Sequence, residues 1–146
     1  MKQNLDNFKQ IDLTEKNTQD IFDDVDIKST TQRINIAKII FRKHQHLSAE
    51  DIIAELNDSE NEISRATVYN TLNLFADKGL VRRVVIDSSK VYYDSKTTPH
   101  SHYYNIDTGE IQDFEINDVK INPTPELPKN TLQEGIDVVV RIKNLK

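Results

Sequence analysis

The sequence predicts an α+β fold with helices first and strands after, and three observations carry that prediction. Apolar residues recur at helical spacing as far as Phe75. Two β-rich runs, LVRRVVI and KVYYD, then flank the turn-forming triplet Asp87-Ser88-Ser89. From Asp94 onward the chain offers only short strand-like runs and a proline-rich stretch. At 146 residues it is one domain or two small ones, long enough to bury a core.

Residues 1–17 read as a flexible acidic extension. From Thr18, the spacing of Ile21, Phe22 and Val25 suggests a short helix. A second helix follows Ser29-Thr30-Thr31 and runs through RINIAKIIFRK, with Ile34, Ala37, Ile40 and Phe41 along one face. Ser48 and Asp51 have the spacing of a capping box and open a third helix, with Ile52, Ile53 and Leu56 inward. Asn57 to Asn61 form a turn. Ser64 caps a fourth helix, RATVYNTLNLFADK, whose buried stripe is Val68, Leu72, Phe75 and Ala76 and whose stop is Gly79. Short helices followed by a hairpin are the order of a winged helix-turn-helix, which assigns 18–94 to a DNA-binding domain.

Beyond it, HSHYYNI and EIQDF read as two strands joined by Asp107-Thr108-Gly109. INPTPELPKN holds three of the four prolines, which excludes a helix interior or a central strand. The closing GIDVVVRIK is a strand whose unbroken apolar run suggests burial on both faces. In so short a segment, a partner chain is the natural second cover, so 95–146 is expected to be a small β-rich dimerisation domain.

Charge is distributed unevenly around a net of −5. Residues 1–27 carry three Lys/Arg against seven Asp/Glu, and residues 94–146 carry six against nine. Residues 28–93 carry ten against eight, the one segment with a positive surplus, so an acidic whole does not exclude DNA. The first turns of a second helix-turn-helix helix enter the major groove. Here that tract is Ser64-Arg65-Ala66-Thr67-Val68-Tyr69-Asn70. With Val68 inward, Arg65, Thr67, Tyr69 and Asn70 remain to face DNA; Arg65 suits phosphate or guanine, and Tyr69 suits a thymine methyl. Arg82, Arg83 and Lys90 on the hairpin, with Arg33 and Lys38, suit phosphates. The competing reading is ordinary solvated charge on a helical bundle.

All four histidines fall in two His-x-His pairs, His44-Gln45-His46 and His100-Ser101-His102. In a strand that spacing aims both imidazoles at one face, which is half of a metal or haem site. The bland alternative is two accidental surface pairs. Carboxylates stand nearby: Asp94 lies six residues before His100, and Asp113 eleven after His102. The absence of Cys excludes disulfides and thiolate zinc, so any such site is built from nitrogen and oxygen. No run is long and apolar enough to span a bilayer, and MKQNLDNFKQIDL lacks the apolar stretch of a secretory signal, so the expected location is the cytoplasm.

These residues carry a resemblance. SRATVYNTLNLFADKGLVRRV resembles the recognition-helix signature of the ferric uptake regulator (Fur) superfamily, and STTQRINIAKII resembles its usual Thr-x-Gln-Arg opening of the first long helix. The likeness runs from about Ile21 to the end. It implies a homodimer with an N-terminal winged helix, a C-terminal dimerisation domain and a regulatory metal at the hinge between them. The peroxide-responsive branch uses three His and two Asp there. By that resemblance the ligands are His46, Asp94, His100, His102 and Asp113; their nitrogen and oxygen donors suit Fe(II), Mn(II) or Zn(II) alike. His44 has no counterpart in the set and reads as an exposed neighbour or a spare ligand.

Two departures narrow the resemblance. Family members commonly hold a structural zinc on two Cys-x-x-Cys pairs; Asn105 and Thr108 stand at the first pair's positions, which implies that this zinc is missing. The usual C-terminal helix gives way to PTPELPKN. Both features, with HSHYYNIDTGEIQDF and GIDVVVRIK, look most like the iron response regulator (Irr) branch. The implied function is a non-enzymatic transcriptional regulator of iron or haem homeostasis, whose DNA affinity responds to a metal or to haem. The alternative is a peroxide-sensing Fe(II)/Mn(II)-dependent repressor. A non-haem metalloenzyme built on two His and a carboxylate is the remaining rival.

Overall fold

The computed structural model describes residues 15–58, 62–115, 125–133 and 136–146. The chain divides into two compact units between Thr98 and Pro99.

In the first unit the order is α1 (Glu15–Asp24), α2 (Thr31–Ile40), β1 (His46–Ser48), α3 (Ala49–Asn57), α4 (Arg65–Asp77), β2 (Arg82–Asp87) and β3 (Lys90–Asp94). Its helices share one core, in which Phe22, Ile36, Ile40, Ile52, Leu72 and Phe75 are wholly buried. The Phe75 ring lies 5.4 Å from Phe22 and 6.0 Å from Phe41, centroid to centroid. Each such side chain is worth about 1.5–3 kcal/mol when removed from water, which seats α4 firmly against α1 and the end of α2. Ile36 and Ile39 are buried as well, so α2 is covered over a broader arc than the expected stripe.

Helix ends follow from local chemistry. Thr30 caps α2 by accepting from the Arg33 N–H, and Ser64 caps α4 by accepting from Thr67. The capping box at α3 is complete: the Asp51 N–H donates to Ser48 Oγ at 3.1 Å, and the Ser48 N–H donates to Asp51 Oδ2 at 2.9 Å. Gly79, at φ +76°, ends α4 as expected. The Leu80 N–H reaches back to the Phe75 carbonyl and the Gly79 N–H to Ala76, a Schellman arrangement. α1 ends the same way without glycine: Asp26 takes φ +57°, and the Ile27 N–H donates to the Phe22 carbonyl. α2 stops at Ile40 rather than running through Lys43, because the Gln45 amide donates to the Ile39 carbonyl at 2.7 Å and to that of Ile40 at 3.4 Å.

The expected hairpin is present, and a strand that the sequence pattern did not reveal joins it. β1 pairs antiparallel with β3, giving the sheet order β1-β3-β2. Glu15 to Asn17 are helical, although they fall within the expected extension, whose residues 1–14 lie outside the described residues. Residues 59–61 of the expected Asn57 to Asn61 turn also lie outside them.

The second unit holds β4 (Ser101–Asn105), β5 (Ile111–Phe114) and β6 (Val139–Ile142) in the order β5-β4-β6. β4 runs antiparallel to β5 and parallel to β6. Gly109, at φ +74°, lies in the expected turn. Of the proline-rich stretch, residues 125–130 form neither helix nor strand, and 121–124 lie outside the described residues. In β6, Val140 and Ile142 each remain 38% exposed in the single chain. β6 is an edge strand among the described residues. Among the described residues no helix is long and apolar enough to cross a membrane.

Candidate metal centre and reading helix

Each unit brings imidazole and carboxylate together. In the first, β1 and β3 place His46 directly opposite Asp94, and His46 Nε2 lies 3.1 Å from Asp94 Oδ2. Asp94 is buried, and its other oxygen accepts the Lys96 N–H at 2.8 Å, which fixes the carboxylate plane. His46 is steered by its neighbours. The Gln45 N–H donates to Ser95 Oγ and the Ser95 N–H to the Gln45 carbonyl, tying the approach to β1 to the exit of β3. Gln45 thus has a structural role, and His44 lies outside the strand, exposed. The first His-x-His pair therefore does not share a strand face; only His46 reaches the sheet.

The second pair does share a face. His100 immediately precedes β4 and His102 lies within it, with ring centroids 4.5 Å apart. Asp113 on β5 is the register partner of His102. Its Oδ1 lies 3.5 Å from His100 Nε2 and 3.4 Å from His102 Nε2, so two imidazole nitrogens converge on one carboxylate oxygen. Both imidazoles are buried.

These spacings suit a divalent ion. Bonds of about 2.1 Å hold neighbouring ligand atoms about 3.0 Å apart at right angles and about 3.4 Å apart at tetrahedral angles. The distances in the second unit are long for a hydrogen bond, whose usual value is near 2.9 Å. Nitrogen and carboxylate donors accept Fe(II), Mn(II) or Zn(II) without thiolates.

On α4, the groups expected to face DNA are differently engaged. Tyr69 is 39% exposed, and Arg65 and Asn70 are exposed, while Val68 is buried, as the helical phase requires. The Arg65 guanidinium forms a two-point contact with Glu50 on α3, Nη1 to Oε2 being 2.7 Å, and the Tyr69 hydroxyl donates to Glu50 Oε1 at 3.0 Å. Those bonds hold the Glu50 carboxyl below the usual carboxylate range, Arg65 contributing first and Tyr69 second. Thr67 Oγ1 lies 2.8 Å from Ser64 Oγ, within the cap. Lys38 and Lys90 are exposed. Arg33 donates to the Lys28 carbonyl at 2.7 Å, and Arg82 to that of Thr98 at 3.4 Å. Arg83 is tied to α4 through Asp77 at 2.9 Å and the Asn73 carbonyl at 3.3 Å. The sequence reading missed Glu50 because its partners lie 15 and 19 residues away on another helix.

The chain is similar to known proteins in sequence and in fold. The ferric uptake regulator family profile matches residues 24–134. The ferric uptake regulation protein of Vibrio parahaemolyticus is 37% identical over 93 residues, covering 62% of each chain. The peroxide-responsive repressor PerR of Staphylococcus saprophyticus is 34% identical over 88 residues, 60% of each chain. The solved ferric uptake regulator of Vibrio cholerae is similar with a TM-score of 0.67 at 25% identity, over 87% of this chain and 99% of that one. The chain belongs to the ferric uptake regulator family. It spans about 62% of the length of the curated Vibrio relative it matches.

Proposed function

We propose that the chain is a metal-responsive, DNA-binding transcriptional regulator, not an enzyme, working as a homodimer in the cytoplasm. The observation that carries this reading is the set of imidazole–carboxylate spacings: His46 with Asp94, and His100 and His102 with Asp113. On this reading all five are ligands of a single Fe, Mn or Zn ion. Bound there, the ion would link ligands from the two halves of the chain and so would bias the angle between them. Lys96 and the β1–β3 register hold the first two ligands; the β4–β5 register holds the rest.

The DNA-reading element is α4, within a winged helix-turn-helix over 18–94, and the 95–146 segment pairs two chains. Arg65, Thr67, Tyr69 and Asn70 face the major groove, while Arg33, Lys38, Arg82 and Lys90 serve the phosphates. Dimerisation is supported by one face of the second sheet, where the register places Tyr103, Phe114, Val140 and Ile142 together, Tyr103 and Phe114 ring to ring at 4.5 Å. Because half-sites in DNA require a fixed separation, an ion that sets the angle sets affinity. No structural zinc of the thiolate kind enters this account, since the chain has no Cys. The likeness to the iron response regulator branch carries the narrower proposal that iron or haem status is the signal.

Gel-shift titration against a duplex selected from a random pool, with Mn(II), Fe(II) or haem added in turn, tests the proposal. Wild type changes affinity with one of these, and His100→Ala folds but does not respond. An unchanged response in the variant removes the ligand assignment. Gain of one oxygen atom on His46 or His100 after peroxide, read by mass spectrometry, instead selects the peroxide-sensing alternative. Turnover of a small substrate without sequence-selective DNA binding selects the enzyme.

A further inference from the structure

Three features of α3 and α4 meet at one carboxylate. Glu50 stands in the first turn of α3, two positions after the Ser48 cap, where its negative charge suits the helix N-terminus. Arg65 opens α4, and Tyr69 follows one turn later on the same face. Glu50 takes both nitrogens of the Arg65 fork and the Tyr69 hydroxyl, yet all three side chains remain at the surface.

We propose that Glu50 is a specificity-determining residue, an internal competitor that occupies Arg65 and Tyr69 until DNA offers them a matching acceptor. The inference rests on the reading of α4 as the DNA-facing helix. A guanidinium fork meets a carboxylate and a guanine edge with the same two parallel N–H donors, so the two acceptors exclude each other. A phosphate oxygen reached in passing offers Arg65 a less directional partner, and the Glu50 charge repels the backbone that carries it. A correctly placed guanine restores both N–H bonds and leaves Glu50 facing solvent. The carboxylate therefore penalises random DNA more than the target, and selectivity is a difference between affinities. An exposed ion pair is weak enough to be exchanged on binding, which keeps the device reversible.

The test uses the full-length protein, a duplex selected from a random pool, and a scrambled duplex of equal length. Wild type must first prefer the selected duplex; if it binds neither selectively, the DNA-binding reading itself fails. Given that preference, Glu50→Gln raises affinity for scrambled DNA about tenfold and for the selected duplex by less, so the ratio falls. The salt dependence on scrambled DNA steepens by about one released counterion. In an Arg65→Ala background the same substitution changes the ratio much less, because only the Tyr69 hydroxyl is then left to release. A ratio unaltered by Glu50→Gln, or altered equally with and without Arg65, overturns the proposal and leaves Glu50 as a helix-terminal acid.

Discussion

Asn105 and Asn144 join side chain to side chain, the Asn105 amide donating to Asn144 Oδ1 at 2.8 Å, and this contact ties the β4–β5 turn to the segment after β6. Asn105 Oδ1 also accepts the Asp107 N–H at 2.9 Å and the Thr108 N–H at 3.3 Å, while the Asn144 N–H donates to Asp107 Oδ2 at 2.8 Å. Asn105 and Thr108 are the positions where resemblance to the family leads one to expect the first cysteine pair. Hydrogen bonds close this turn without thiolates. Asn105→Ala therefore destabilises the second unit by about 0.5–1.5 kcal/mol, lowering the urea midpoint, since it removes the hydrogen bonds that close the turn while water can still reach their partners. Wild type is expected to keep its circular dichroism spectrum in a chelator. A collapse of that spectrum on metal removal would show that a structural ion holds the turn after all.

Phe75 is the hub of the first unit, in contact with Phe22 and Phe41. Phe75→Ala leaves a cavity beside Phe22 and Phe41, and the expected loss is about 3–5 kcal/mol. Phe75→Leu loses less. Denaturant titration followed by tyrosine fluorescence measures both, and equal losses would contradict a cavity-controlled cost.

Gly79 isolates a backbone effect. A Cβ added there meets nothing within 4 Å, so space is not the constraint; φ +76° is. Gly79→Ala is expected to cost about 1 kcal/mol and Gly79→Asn less, because asparagine tolerates the left-handed region. Thermal unfolding ranks the pair, and a neutral Ala would mean that the α4 terminus relaxes to another form.

Val140 pairs with Tyr103 in register on the half-exposed face of the second sheet. Val140→Asp places a charge where a second copy would bury the strand, and the proposed dimer becomes a monomer in sedimentation. A wild-type monomer at micromolar concentration would remove the assignment of that face.

Legibility differed from element to element, for physical reasons. α4 and the hairpin were readable because Val68, Leu72 and Phe75 keep strict helical spacing and Gly79 marks the stop, while Asp87 to Ser89 announce a turn. β1 was not, because three half-buried residues carry no period of their own and acquire strand character only by pairing with Tyr92 to Asp94. The same gap hid how the first pair divides: nothing local says that Gln45 turns back to end α2 and leaves His44 outside the strand. His100 and His102 were readable as one face because alternation within β4 is intrinsic to the strand. Glu50 was invisible, since its meaning depends on how α3 and α4 pack.

The claim on which the rest depends is that one ion takes ligands from both halves of the chain. Metal content and Mn(II) affinity, measured on wild type, His46→Ala and His102→Ala, address it directly. The account predicts one ion per chain and a loss of at least about tenfold in affinity from either substitution alone. Two ions per chain, or a substitution in one half that leaves the affinity untouched, would contradict it.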